Sequence, residues 1–159
     1  MSTEYAWRRR FIEVIEEVFR ELHFDAPAMT HDVDASLVME LEVDGTTFEV
    51  VHNPRANETH CLIEGRIGHI ASDNPNAVLT MLLAKNLGMA KIYSGVFSCD
   101  IKDDSVLYSI AMELEEASGG ALLQALREIA AHAYEWRLML SGAIMNQDGA
   151  IAYVSSALA

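Results

Sequence analysis

The sequence predicts an α+β domain, an antiparallel sheet with flanking helices in the order α-β-β-β-α-β-β-α. Three observations carry this. The opening segment repeats apolar residues at helical spacing. Two groups of alternating segments are separated by turn signals. Between and after those groups lie an apolar segment and a long one that both carry helix punctuation.

The first helix is expected over Thr3 to Leu22, where Trp7, Phe11, Val14, Ile15, Val18 and Leu22 form one stripe and Thr3 stands as an N-cap. A loop through Pro27 leads to a strand at Ser36 to Val43, with Leu37, Met39, Leu41 and Val43 on one face and Glu40 and Glu42 on the other. Asp44-Gly45 is a type I′ hairpin signal. The return strand is Thr46 to His52, and a turn at Asn53 to Asn57 opens a third strand, Glu58 to Ile67. Asn74-Pro75 reads as a helix start for a short second helix, Ala77 to Asn86, which is apolar nearly all round and ends at Gly88. A fourth strand is expected over Lys91 to Ile101 and a fifth over Ser105 to Met112. Gly119-Gly120 then separates them from a long helix, Ala121 to Ser141, stopped by Gly142. The division that follows is a domain over residues 1–142 and a C-terminal extension over 143–159.

Composition narrows the function. The 159 residues hold 11 Lys and Arg against 24 Asp and Glu, a formal charge of −13, yet 51% of the chain is hydrophobic. A chain this apolar is not disordered. A surface this acidic disfavours nucleic acid and anionic membranes as partners. Arg8, Arg9 and Arg10 resemble the start of an export signal, but Glu13, Glu16, Glu17 and Glu21 leave no apolar core to follow them. The two cysteines, Cys61 and Cys99, make no disulfide framework, so a reduced, cytoplasmic protein is expected.

Catalytic signatures are scarce. Gly65-Arg66-Ile67-Gly68 lacks the spacing of a phosphate loop, and no nucleophile elbow occurs. His52 and His60 face each other across a hairpin as a conceivable metal pair. Two polar residues on a solvated face explain them as well, and Cys61 points away from His60. Neither cysteine sits beside a basic cluster. No catalytic, metal or cofactor site is expected, and a binding protein is the better reading than a small enzyme with an acidic pocket.

The apolar surplus supplies a binding mechanism. The second helix and the fourth strand are too apolar for one small sheet to cover, which suits a subunit interface. Trp7, Phe11, Phe48 and Val50 are candidates to flank an open groove that takes the apolar anchors of an extended peptide.

The chain resembles the CesT/SycE-type class I chaperones of bacterial type III secretion. The resemblance runs over about Tyr5 to Ser141. It rests on the helix ending Phe19-Arg20-Glu21-Leu22, the hairpin Leu41-Glu42-Val43-Asp44-Gly45 and the helix-turn Leu82-Leu83-Ala84-Lys85-Asn86-Leu87-Gly88. It also rests on the strand Tyr93-Ser94-Gly95-Val96-Phe97-Ser98 and the closing Ala133-Tyr134-Glu135-Trp136. It implies a cytoplasmic homodimer without enzymatic activity. Such a protein binds the N-terminal chaperone-binding segment of a secreted effector and delivers it to the secretion ATPase. It places the dimer interface on Val78, Leu82, Leu83, Tyr93, Val96 and Phe97, and effector-binding patches on Trp7, Phe11, Phe48 and Val50. A regulator of the same fold that sequesters another chaperone or a signalling protein is the alternative.

Overall fold

The computed structural model describes residues 3–70, 74–90 and 95–145. The elements follow the expected order: α1 (Thr3–Glu21), β1 (Leu37–Val43), β2 (Thr46–His52), β3 (His60–His69), α2 (Pro75–Ala90), β4 (Val96–Asp100), β5 (Ser105–Glu113) and α3 (Gly119–Met145). The strands form one antiparallel sheet in the spatial order β1-β2-β3-β5-β4.

Local chemistry explains the turns. α1 ends where His23 adopts a left-handed φ of 62° and the Phe24 amide donates back to the Phe19 carbonyl at 2.9 Å. Asp44 (φ 48°) and Gly45 (φ 72°) make the type I′ turn that fixes the β1–β2 register, pairing Val43 with Thr46 and Glu40 with Glu49.

One face of the sheet is the core. Inward positions of β1 and β2 alternate with exposed ones, save the half-buried Val51, and Phe48, Val50 and Ile63 are fully buried. α1 contributes Phe11, Val14, Ile15 and Val18, also fully buried, and α3 contributes Leu122, Leu126 and Ala133. α3 can lie close to β3 because Gly65 has no side chain. A Cβ there would stand 2.8 Å from the Phe48 ring and 3.3 Å from Ile129 Cγ2.

The two helices lock together at the start of α3. The Glu17 carboxylate accepts from the Gly119 amide at 2.7 Å, the Ser118 hydroxyl accepts from the Ala121 amide at 3.1 Å, and Arg10 donates to the Ala117 carbonyl. A Cβ on Gly119 would come within 2.8 Å of the α1 backbone at Glu17 and Val18. Gly119→Ala is therefore expected to destabilise by about 2 kcal/mol, although Gly→Ala in a helix ordinarily stabilises. A midpoint in urea at or above the wild-type value would contradict this contact.

Several boundaries differ from the sequence reading, each for a physical reason. Gly119 and Gly120 begin α3 rather than precede it, because Ser118 is the cap and Glu17 needs a bare backbone beside it. Gly142 does not stop α3, which runs on to Met145, and Gly88 lies within α2. One or two glycines inside a well-packed helix are tolerated at about 1 kcal/mol each. The proposed domain boundary at residue 142 therefore falls inside a helix. Of the expected extension, residues 146–159 lie outside the described residues, as do 91–94 at the start of the expected fourth strand.

Candidate functional site

The face of the sheet turned away from α1 and α3 carries the surface of interest. Pairing places its side chains in rows across the strands. One row is apolar: Val38, Val51, Leu62 and Ala111, of which Val38 is 49% and Leu62 41% exposed. The next is Glu40, Glu49, Glu64, Ser109 and Val96, three carboxylates side by side before the row turns apolar. Ser109 donates its hydroxyl to Glu64 at 3.0 Å. In the third row Arg66 donates to Asp103 at 2.7 Å and to Ser105, and the hydrogen bonds from the Ser105 hydroxyl first, then from Arg66 and the Ser105 amide, hold the Asp103 carboxyl well below the usual range.

A groove of about 880 Å³ opens beside Gly95 and Val96 at the sheet edge. It runs from Leu62, Val96 and Ala111 on the open face round to Ile129, His132 and Trp136 on α3. The Phe97, Tyr108 and Trp136 rings pack mutually at 4.7–5.0 Å between centroids and brace its α3 side. One carboxylate, Glu128, lines it, so it is not an acidic pocket.

α2 supplies a second apolar surface. Its inner side, Val78, Met81 and Leu82, is buried. Its outer side presents Leu79, Leu83 and Leu87 at helical spacing, 40%, 69% and 62% exposed. Asn86 fixes the helix to the sheet edge: its Nδ2 donates to the Phe97 carbonyl at 2.8 Å, and its Oδ1 accepts from the Phe97 amide at 2.6 Å. A side-chain amide here does the work of a neighbouring strand. Val96 beside it is 51% exposed.

The expected patches need correction. Phe11, Phe48 and Val50 are fully buried between helix and sheet, and Trp7 is half-buried, so in the free protein these side chains are packing rather than surface. Apolar residues at the right period mark a face, and period alone does not distinguish a covered face from an open one. Of the residues expected at an interface, Leu83 and Val96 are exposed, Val78, Leu82 and Phe97 are buried beneath them, and Tyr93 lies outside the described residues.

His52 is not on a solvated face. It is fully buried, stacks on Phe11 at 5.3 Å and accepts at Nδ1 from Arg8 Nε at 3.1 Å, with its Nε2 2.9 Å from the Glu58 carbonyl. Arg8, fully buried as well, donates onward to the carbonyls of Thr30, Asp32, Ala35 and His52. Sequence reasoning missed this pair, although Arg8 precedes Phe11, Ile12 and Ile15 by three, four and seven positions on the inner stripe. Burial pushes the Cys61 thiol up to about 11, and burial with nearby acids also raises Cys99, so neither is a ready nucleophile. Among the described residues no group of three His, Cys, Asp or Glu side chains could hold a metal ion.

The model of the Tir chaperone protein (CesT) family matches residues 14–137. The chain belongs to that family. The match spans all five strands, the groove and the outer stripe of α2. Among solved structures, this CesT-family chain is similar to the ExsC-ExsE complex, with a TM-score of 0.66, 13% identity and coverage of 88% of this chain and 97% of the other. It is similar to the HopA1-SchA chaperone-effector complex at a TM-score of 0.54 and 15% identity, over 87% and 96% of the two chains. It is also similar to the ExoT-SpcS complex from Pseudomonas aeruginosa at 0.50 and 17%, over 79% and 96%. At such identities the shared property is the fold. No curated protein sequence matches the chain significantly.

Proposed function

We propose that this CesT-family chain is a cytoplasmic type III secretion chaperone. It acts as a homodimer, without catalysis, and binds the N-terminal segment of a secreted effector in extended form. It keeps that effector stable and secretion-competent for the secretion ATPase. The observation that carries this reading is the pairing of two separate uncovered apolar surfaces on one small domain. One is a groove continuous with an open sheet face, suited to an extended peptide; the other is a leucine stripe on α2 suited to a second copy. Family membership supports it, and a chaperone-effector complex stands among the similar structures. Among the described residues no helix is long and apolar enough to cross a membrane.

Affinity purification of the chain from a secretion-competent host, with mass spectrometry of what comes down, tests the client. A secreted protein protected from proteolysis only in its N-terminal part is the expected result. Recovery of a cytosolic chaperone or signalling protein instead would favour the regulator of the same fold.

A further inference from the structure

We propose that the open sheet face selects a cationic client segment: one that seats an apolar side chain in the groove and sets a Lys or Arg over the row Glu40, Glu49 and Glu64. The proposal rests on the client-binding reading above and adds to it the charge and spacing of the segment.

The register places the three carboxylates directly opposite one another on adjacent strands, about 4.8 Å apart strand to strand. Like charges so placed destabilise a sheet. A face that needed only solubility would mix the signs along the row. The cation closest to the row in sequence register, Arg66, attracts Glu49 but gives its hydrogen bonds to Asp103 at 2.7 Å and to Ser105, so no cation is hydrogen-bonded within the row among the described residues. The same row ends at Val96, in the wall of the groove, and the apolar row of Val38, Val51 and Leu62 runs beside it, about 7 Å away along the strands. The face thus offers an acidic lane and an apolar lane that lead to one groove.

Charge complementarity chooses the occupant. A second copy of this chain brings a formal charge of −13 and is repelled by the row. A basic segment is attracted, and because its own apolar side chains alternate with outward ones it can use the apolar lane as well. From Val96, Glu64 lies two strand spacings away and Glu49 three. An extended chain advancing about 3.3 Å per residue reaches them in roughly three and four residues. The preferred segment therefore carries Lys or Arg about three to four positions from its apolar anchor.

Fluorescence anisotropy with three synthetic β-prone peptides tests this. The first carries Leu with Arg four positions away, the second has Gln in place of Arg, and the third has Glu. The wild-type chain should bind the Arg peptide about fivefold more tightly than the Gln peptide at low salt, with the Glu peptide weakest. That ratio should shrink as salt screens the row. In Glu49→Gln/Glu64→Gln it should collapse to about one, while the urea midpoint of the unbound variant stays at or above wild type, since a repulsion has been removed. Equal affinity of the wild type for the Arg and Gln peptides, or a ratio that survives in the double variant, overturns the cationic anchor alone. Binding of none of the three overturns the client-binding reading and this proposal with it. A changed sedimentation coefficient in the double variant would place the row in a self-interface and overturn the proposal in favour of a second copy.

Discussion

Arg8→Ala is expected to cost about 3–5 kcal/mol, the largest single-residue effect in the molecule. The guanidinium is fully buried and donates to His52 Nδ1 and to four carbonyls, three of them in the loop between α1 and β1. Removing it takes the donor from the buried His52 Nδ1 and unties residues 30–35 from α1. Arg8→Lys should not rescue it, because one ammonium cannot span acceptors spread round a planar fork. A fall in the thermal midpoint of more than about 10 °C is the expected reading; a change within a degree or two would show that the network contributes nothing.

The same network makes stability depend on pH. Burial, with the Arg8 charge adding to it, lowers the His52 pKa below its ordinary 6.5, against a smaller opposing effect of the Glu58 carbonyl. Asp32 lies on the far side of Arg8 and partly offsets that charge. The unfolded chain therefore binds a proton here that the folded chain does not. Stability is complete above about pH 6.5 and declines as pH falls below it. His52→Asn, which keeps an acceptor for Arg8 but cannot titrate, should flatten that part of the profile.

The second large effect is on assembly. Leu83→Asp/Leu87→Asp should leave the fold intact, because both side chains are exposed on α2 and only helix propensity is lost, about 0.5 kcal/mol each. In the dimer the same positions would be buried, and an unpaired charge there costs about 3–5 kcal/mol, roughly a hundred- to several-thousandfold weaker association. A double variant that sediments as wild type while retaining its circular dichroism would remove α2 from the interface.

How far the sequence foretold these features depends on which question is asked of it. Alternation in Leu37 to Val43 identified the inner face of β1, and the Asp44-Gly45 turn was enough to pair Glu40 with Glu49. The apolar character of α2 on every side was visible, and the structure resolves it into an inner face and an outer leucine stripe. Long-range register was not visible: nothing local aligns Glu64 with Glu49. Phe11, Phe48 and Val50 were misread because hydrophobic period identifies a face and not what covers it. Arg8 entered the sequence reading only with Arg9 and Arg10 as a run resembling the start of an export signal, and only a partner forty-four residues away, His52, explains why it is inside. The ends of α3 were missed because glycine at Gly119 answers to α1 packed against it, a tertiary constraint that punctuation rules do not contain.

Capture of a client by a dimer is tested most directly by light scattering on the chain co-expressed with the N-terminal segment of the secreted protein that co-purifies with it. The account predicts one complex whose mass is two chains of 17.6 kDa plus one segment, with the segment resistant to protease until the complex is dissociated. A 17.6 kDa monomer eluting apart from a freely degraded segment would contradict it.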